Sequence, residues 1–265
     1  MPEGDTIFRA ARTLHAALAG RAVTSFETGL AALDRVDQDT PLAGRTVERV
    51  RSVGKHLLME FSGDLVLRTH MRMNGSWHVY RPGERWRRPR SAMRVVVATD
   101  AYVAVAFDVP VAEFLTRRDL ARHRELNALG PDVLDDGFSP GAALERFRSR
   151  ADEPIADAVL NQRVMAGVGN VFKSEALFVA GVDPFRPVST LTDEELTRVI
   201  EAARSLMRAN VFRGARRTTR MMNPDAKLWV YARTGRPCRR CGTAIESRKH
   251  GEDARGTYWC PRCQR

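Results

Sequence analysis

The sequence lacks any apolar run approaching the ~20 residues that a membrane-spanning helix needs. Its first residues, MPEGDTIF, contain neither the basic segment nor the apolar core of a secretory signal. Cysteine is also missing from everything before Cys238, which argues against a disulfide framework. We therefore expect a cytoplasmic protein with no membrane partner, and we expect it to be a monomer.

Acidic residues are in deficit relative to basic ones. The chain has 43 Lys and Arg against 32 Asp and Glu, which gives a net charge of +11. Residues 211–265 hold fourteen basic and four acidic side chains, and residues 81–94 hold six arginines around Trp86. Such a surface attracts a polyanion, and nucleic acid is the commonest one. Charge alone leaves open the alternative that these arginines are merely solvated.

Apolar residues at three- and four-residue spacing predict a helix from Thr6 to Leu18, with Asp5 as its N-cap and Gly20 as its end. Short runs of alternating or β-branched residues follow, separated by turn signals such as NG at 74–75. The predicted strands are Ala22–Phe26, Val47–Val53, His56–Phe61, Leu65–Thr69, Trp77–Tyr80, Met93–Thr99 and Tyr102–Phe107. This rhythm is typical of an all-β sandwich or barrel.

The pattern changes after residue 120. Residues 121–140 are predicted to be a linker, since they end in the acidic, Gly- and Pro-containing stretch DVLDDGFSPG, which occupies 132–141. Helical patterns are then found at Ala142–Arg148, Ile155–Leu160, Val171–Val179 and Asp193–Ala209. We predict an α+β multidomain protein with a β-sandwich over 1–120, a linker over 121–140, a helical domain over 141–225 and a cysteine-rich module over 226–265.

The tripeptide Val168-Gly169-Asn170 lies between two of the predicted helices. A tight turn there would place backbone N–H groups at a helix N-terminus, where they suit a phosphate. An ordinary turn between helices is the alternative.

The four cysteines form two CxxC pairs, Cys238 with Cys241 and Cys260 with Cys263, separated by eighteen residues. Each pair puts two thiolates on one side of a tight turn, and two such turns complete a tetrahedral zinc site. Four protein thiolates leave no position for a water, so we expect one structural Zn²⁺ ion; four cysteines without metal are the alternative. The residues between the pairs predict a β-hairpin with Arg255 near its tip, where it would reach a phosphate or remain a solvated loop arginine.

Four motifs in order along the chain resemble the formamidopyrimidine-DNA glycosylase and endonuclease VIII family. They are Met1-Pro2-Glu3-Gly4-Asp5, Val53-Gly54-Lys55-His56-Leu57, Gly167-Val168-Gly169-Asn170 and the terminal four-cysteine module. The resemblance implies an N-terminal β-sandwich with an opening helix, a helix-two-turn-helix domain and a C-terminal β-hairpin zinc finger. It also implies a DNA repair enzyme that binds damaged double-stranded DNA.

The resemblance implies that Pro2, once Met1 is removed, is the catalytic nucleophile. A secondary amine that attacks the sugar C1′ gives an iminium, which acidifies the C2′ proton and permits strand cleavage by β,δ-elimination. Glu3 is implied as a proton shuttle beside it. Lys55 and Arg255 match the family's second lysine and finger arginine, and Asn170 matches its DNA-binding turn.

A flipped base leaves a gap in the duplex that protein side chains fill. Arg72 and Met73 occupy the position of the family's void-filling loop, and Met73 would wedge between base steps. A methionine buried in the sandwich core is the alternative.

The endonuclease VIII branch is favoured, with oxidised pyrimidines as substrates. The Arg-Arg-Phe-Gly segment of the guanine-oxidation branch is absent, because Phe107-Asp108-Val109-Pro110 stands in its place, and Tyr258-Trp259-Cys260-Pro261 resembles endonuclease VIII fingers. A formamidopyrimidine or 8-oxoguanine glycosylase of the same family is the alternative. A non-catalytic zinc-finger DNA-binding protein and a zinc-ribbon RNA-binding or ribosome-associated protein are rivals from other classes.

Overall fold

The computed structural model describes residues 2–212, 214–251 and 254–265. The α-helices are α1 (Gly4–Leu18), α2 (Ala31–Asp39), α3 (Arg117–Ala121), α4 (Arg124–Asn127), α5 (Pro140–Arg148), α6 (Ile155–Leu160), α7 (Asn170–Ala180) and α8 (Asp193–Asn210). The strands are β1 (Val23–Thr28), β2 (Val47–Val53), β3 (His56–Phe61), β4 (Leu65–His70), β5 (Ser76–Tyr80), β6 (Met93–Thr99), β7 (Val103–Phe107), β8 (Val111–Leu115), β9 (Glu246–His250) and β10 (Arg255–Trp259). The chain divides into an N-terminal unit, Met1–Asn127, and a C-terminal unit, Ala128–Arg265. Over the described ranges, no helix combines the length and apolar character needed to cross a membrane.

The N-terminal unit contains two four-stranded antiparallel sheets. Their strand orders are β1-β6-β7-β5 and β2-β3-β4-β8. Side chains that alternate along the strands fill a shared core because successive residues of a strand point to opposite faces. The buried core residues include Leu57, Met59 and Phe61 of β3, Leu65 and Leu67 of β4, and Val95 and Val97 of β6. The predicted β-sandwich is confirmed.

Helix α1 contributes one apolar face to this core, through residues such as Ile7, Leu14 and Leu18. It begins two residues earlier than predicted. The carbonyl of Glu3 accepts from the N–H groups of Thr6 (2.9 Å) and Ile7 (3.1 Å), so Glu3 is the N-cap residue. The prediction of Asp5 as N-cap is wrong, because Asp5 is already inside the first turn and fully buried.

Helices α2, α3 and α4 and strand β8 of the N-terminal unit were not predicted. Helix α2 buries only Leu33, which leaves no apolar period to detect. Every residue of strand β8 is half-buried, and its sequence does not alternate between apolar and polar residues. The period of two that marks a strand is therefore absent. Pairing with β4, for example Phe114 opposite Leu67, makes it a strand.

The C-terminal unit contains helices α5 to α8 and the β9–β10 hairpin, which confirms the predicted helical domain and finger hairpin. Helix α7 is buried on almost all sides, with Phe172, Leu177 and Phe178 fully inaccessible. Residues 128–139 also belong to this unit, where Gly130 N donates to Gln162 O (2.9 Å). Residues 161–169 separate α6 from α7, a longer connection than the tight turn expected from the sequence.

Candidate functional site

The four cysteines converge at the end of the C-terminal unit. Their Sγ atoms all lie within 4.8 Å of one another, with 4.0 Å between Cys238 and Cys263 and 3.5 Å between Cys241 and Cys260. A tetrahedral zinc with Zn–S bonds of ~2.3 Å requires Sγ–Sγ separations of about 3.8 Å. The four-thiolate donor set and its dimensions therefore fit one structural zinc ion.

The first turn of α7 is bonded directly to the finger hairpin. Asn170 Nδ2 donates to Gly256 O (2.9 Å), and Lys173 Nζ donates to Thr257 Oγ1 (2.7 Å). Lys173 is 1% exposed, so this ammonium is removed from water and its bond to Thr257 is correspondingly important. Both contacts adjoin Arg255, the half-buried first residue of β10. The structure thus brings Asn170 and the strand of Arg255 together.

Helix α7 begins at Asn170, after Gly169 as N-cap residue, so the predicted helix N-terminus is present. The aligned peptide dipoles favour an anion at this end of the helix. The Asn170 Oδ1 atom is buried and lacks a hydrogen-bond partner among the residues that the structure describes. That acceptor is the kind of group that a bound water or ligand satisfies.

Glu175 was missed by the sequence analysis, although its fully buried carboxylate organises the segment before the finger. Its oxygens accept from the backbone N–H groups of Trp229 (2.7 Å), Val230 (2.9 Å) and Tyr231 (2.8 Å), and from the hydroxyl of Thr218. Burial raises the pKa of Glu175, and the four donors oppose that shift. A charged residue within an otherwise apolar helix was the available signal.

Two hydrogen bonds fix the direction of α1 against β2 in the N-terminal unit. The N–H of Gly20 donates to Val47 O (2.8 Å), and the N–H of Val50 donates to His15 Nδ1 (3.2 Å). The chain positions decrease along the helix as they increase along the strand. Helix α1 therefore runs antiparallel to β2.

This direction places the start of α1 and the β2–β3 loop at the same end of the N-terminal unit. From the His15 contact, the helix extends about 17 Å to its first residue at ~1.5 Å per residue. The strand extends about 17 Å to Lys55 at ~3.3 Å per residue. Pro2 and the buried Glu3 precede the helix, and Lys55 follows Gly54 in a two-residue loop closed by the pairing of Val53 with His56.

A buried polar network lies directly behind this loop. Arg68 is 3% exposed and contacts the carboxylates of Glu113 and Glu125, and its Nη2 lies 3.1 Å from His56 Nδ1. Burial first, and then the Arg68 charge, lower the pKa of His56 to about 2. Burial also lowers the pKa of His70 to about 4, with the Arg72 charge next in importance. Both rings are therefore neutral at physiological pH.

The turn at residues 71–75 follows His70 and carries the two predicted void-filling residues. His70 Nδ1 accepts from the N–H of Arg72 (3.1 Å), and Arg72 has a left-handed backbone with φ +49°. Met73 is 61% exposed, so the alternative of a core methionine is wrong; Met71 is the buried residue instead. A Cβ on Gly75 would lie 2.5 Å from Met71 O, which explains the glycine that closes this turn.

Comparison with known proteins agrees with this architecture along the whole chain. Residues 1–110 match the formamidopyrimidine-DNA glycosylase N-terminal domain, residues 129–222 match the formamidopyrimidine-DNA glycosylase H2TH domain, and residues 235–265 match the zinc finger found in FPG and IleRS. The chain belongs to the formamidopyrimidine-DNA glycosylase and endonuclease VIII family.

Relatives within the family favour one branch. "Probable endonuclease 8 2" of Streptomyces coelicolor is 42% identical over 267 residues, which cover 100% of this chain and 94% of that protein. "DNA-(apurinic or apyrimidinic site) lyase Nei2" of Mycolicibacterium smegmatis is 40% identical and covers 100% and 99% of the two chains. The predicted endonuclease VIII branch is thereby confirmed.

The fold also resembles that of a solved formamidopyrimidine-DNA glycosylase. A Lactococcus lactis formamidopyrimidine-DNA glycosylase bound to DNA with an abasic site gives a TM-score of 0.84 at 21% identity, and the match covers 99% of each chain. At this identity the similarity concerns the fold alone.

Proposed function

We propose that this protein is a bifunctional DNA glycosylase and abasic-site lyase of base excision repair that removes oxidised bases, with pyrimidines favoured. The observation that carries this proposal is the placement of Pro2 and Glu3 at the start of α1, at the same end of the N-terminal unit as Lys55. A non-catalytic DNA-binding protein would have no use for a free amine on Pro2.

Pro2 is the nucleophile in this proposal. After removal of Met1 it carries a secondary amine, and an α-amino group with a pKa near ~8 is partly unprotonated at neutral pH. The amine attacks the sugar C1′, the C1′–N bond to the base breaks, and the base leaves with a proton. The attached nitrogen loses its proton, and its lone pair then forms the C1′=N bond while the C1′–O4′ bond breaks and O4′ takes up a proton. The resulting iminium cannot lose its charge by N-deprotonation, so it withdraws electrons while the C2′ proton is removed and the 3′ phosphate leaves.

Glu3 is the proton shuttle for ring opening and base departure. Glu3 is the N-cap residue of α1, it is fully buried, and it directly follows the nucleophile in the chain. Lys55 is proposed to act on the base or the sugar. Proton transfer by a positioned side chain contributes about 10²- to 10⁴-fold to a rate.

The C-terminal unit supplies the DNA contacts in this proposal. Asn170 and Arg255 bind phosphates beside the damaged nucleotide, and the contacts of Asn170 and Lys173 with β10 hold the two groups in one arrangement. The zinc, bound by the four cysteines, holds the finger folded and takes no part in the chemistry. Arg72 and Met73 fill the gap that the flipped base leaves.

The preference for pyrimidines is supported by the end of β7. The segment Phe107-Asp108-Val109-Pro110 has a fully buried Val109, and the Asp108 carboxylate is bound to Arg88. It therefore offers no arginine–phenylalanine pair to the duplex. The exposed Met73 favours the alternative, a guanine-oxidation glycosylase, and a lesion panel separates the two.

Several broader features belong to the same proposal. We infer that the protein acts as a monomer in the cytoplasm on damaged double-stranded DNA. The division into segments 1–120, 121–140, 141–225 and 226–265 stays a prediction. The boundary between the two units follows Asn127, and the H2TH match begins at residue 129.

Borohydride trapping tests the nucleophile directly. Wild-type protein with a mature Pro2 should form a covalent adduct with an abasic-site duplex, whereas the same chain with an uncleaved N-terminal extension should form none. Pro2→Gly, which retains a primary amine, should react more slowly. An extended chain with full lyase activity would contradict the assignment of Pro2.

A glycosylase panel of thymine glycol, dihydrouracil, 8-oxoguanine and abasic duplexes then determines the substrate. Faster release of the two pyrimidines supports the proposed preference, and faster release of 8-oxoguanine supports the alternative. If no substrate gave an adduct, a non-catalytic DNA-binding protein would be favoured. Tighter binding to RNA than to damaged duplex would favour an RNA-binding protein.

A further inference from the structure

Arg88 connects the 71–75 turn to the end of strand β7. Its Nη1 atom donates to Asn74 O (3.3 Å) and to Ser76 Oγ (3.1 Å), while its Nη2 atom binds the carboxylate of Asp108. One guanidinium thus contacts the last part of the turn, the first residue of β5 and the first residue after β7. A planar guanidinium with several donors in fixed directions suits such a three-way contact.

Two strained backbone positions lie at or near the contacts of Arg88. Arg72 and Asp108 both have left-handed backbone conformations, with φ +49° at each, which non-glycine residues adopt at a cost. The Asp108 N–H donates to Ala92 O (2.8 Å), so its backbone is held by the adjoining chain. Arg88 therefore bonds to one strained residue, Asp108, and, through Asn74 O, to the turn that contains the other.

The segment that carries Arg88 is itself anchored to the sheet. Trp86 packs on an outer apolar cluster that contains Tyr80 and Phe107. The Arg87 N–H donates to the hydroxyl of Tyr80 (3.1 Å), and the Arg88 guanidinium lies 5.9 Å from the centre of the Phe107 ring. Arg88 therefore projects from a fixed base and is half-buried.

We propose that Arg88 is a positioning residue that, with Asp108, sets the conformation of the 71–75 turn so that Met73 is presented for insertion into the duplex. The inference rests on the proposed function, because it gives the exposed Met73 a role in filling the gap. Fixing the backbone in advance reduces the entropy lost when the side chain is ordered in DNA. Misplacement at a reaction site by about 1 Å can slow the reaction by about 10²-fold, so a turn that no longer fixes Met73 should slow cleavage of the duplex.

Arg90 provides a matched control two residues away. It binds Glu27 and lies 5.6 Å from the centre of the Trp86 ring. None of the contacts that the structure gives for Arg90 involves the 71–75 turn or Asp108. Replacing either arginine removes one positive charge from the same basic segment, so a difference between the variants reflects the contacts of Arg88 and not the loss of charge.

The test compares full-length wild type, Arg88→Met, Arg90→Met and Met73→Ala on one abasic oligonucleotide, single-stranded and in a duplex. A single strand has no stack to open, so it reports the chemistry without gap filling. We expect Arg88→Met and Met73→Ala to cleave the duplex about 10- to 100-fold more slowly and the single strand within about 2-fold of wild type. Arg90→Met should match wild type on both.

A second readout follows the turn directly. 2-Aminopurine placed beside the abasic site should brighten on binding of wild type or Arg90→Met, because an inserted side chain unstacks it, and should brighten less with Arg88→Met.

Two conservative variants, Arg88→Lys and Asp108→Asn, guard against misfolding. Lys retains the charge but cannot span three acceptors, and Asn tolerates the left-handed backbone. Both should show the duplex defect in weaker form.

Three outcomes would overturn the inference. Duplex cleavage by Arg88→Met at the wild-type rate would remove the positioning role. An equal loss on both substrates would assign Arg88 to folding or chemistry instead. A duplex defect in Arg88→Met that Met73→Ala does not share would show that Arg88 acts on something other than the insertion of Met73. Failure of wild type to form a borohydride adduct with the single strand would instead show that the proposed function has failed, and the inference with it.

Discussion

The N-terminal unit and the finger region of the C-terminal unit are stabilised in different ways. The sandwich core extends from α1 through both sheets and includes large buried side chains such as Leu57, Phe61 and Trp77. The finger has a small cluster in which Phe178, Val230 and Ile245 pack with two of the cysteines. A short segment with so little apolar surface cannot offset its chain entropy by burial alone.

This difference shows which unit depends on polar contacts for its stability. In the sandwich, the buried Arg68 network is an addition to an extensive core. In the C-terminal unit, the four-cysteine site joins the parts of the finger, and the buried Glu175 and Lys173 of α7 bond to the preceding segment and to the hairpin. Perturbing metal or polar contacts should therefore affect the C-terminal unit more strongly than the sandwich.

Zinc removal should have the largest effect, and it should unfold the finger while leaving the sandwich folded. Zinc binding contributes on the order of 10 kcal/mol to the folding of isolated finger modules. Cys260→Ser, or chelation of wild type, should therefore abolish amide exchange protection in β9 and β10 and leave β3 and β4 protected. Adding zinc back to the chelated wild-type protein should restore the exchange protection of β9 and β10. Equal loss of protection in both units would contradict the comparison.

Loss of the Glu175 carboxylate should be the next largest effect. Glu175→Gln places an amide NH₂ among four hydrogen-bond donors, so unsatisfied buried groups should lower the free energy of unfolding by about 2–3 kcal/mol. Denaturant unfolding measures this change, and exposed Glu201 provides the control Glu201→Gln. Equal stabilities of the two variants would show that the Glu175 contacts contribute little.

Acid should weaken the N-terminal unit through His56. Its pKa is about 2 in the folded protein and ~6.5 when unfolded, so below pH 6.5 the unfolded chain binds a proton that the folded protein does not. Stability should fall as pH falls, by about 2 kcal/mol at pH 5. Exchange of β3 amides should report this loss, and His56→Gln should reduce its slope. An unchanged slope would exclude His56 as the source.

Lys173→Met should have the smallest effect, about 1 kcal/mol, because the apolar stem is retained and only the hydrogen-bonded head is lost. The exposed Lys249 of β9 supplies the control Lys249→Met. Amide exchange in β10 should rise in the first variant only. If both variants behave alike, the contact with Thr257 does not anchor the hairpin.

Much of the fold was predictable because the local signals agree with the tertiary packing. Strands β2, β3 and β6 were predicted with their observed bounds, since their apolar residues alternate or run continuously through a buried sheet. Strand β8 and α2 were not, because tertiary pairing and one buried leucine define them. The N-cap of α1 was misplaced because Asp5 is a good capping residue that tertiary packing buries instead.

The candidate site was also predictable only where local sequence patterns define it. The four-cysteine spacing fixed a zinc module without any structure, because ligand geometry is encoded in local turns. The sequence motifs also selected Pro2, Glu3, Lys55 and Asn170 as candidates. The spatial relations of these residues depend on how α1 runs along β2 and how α7 meets β10, which residue spacing does not specify.

The sequence by itself determined the zinc ligands, the sandwich and the family, since each follows from short-range spacing or residue order. Only the tertiary structure identified Glu175 beneath the 229–231 segment and Arg88 between the 71–75 turn and Asp108. These contacts join residues far apart in the chain, and their energies arise from burial and hydrogen-bond geometry that no local pattern contains.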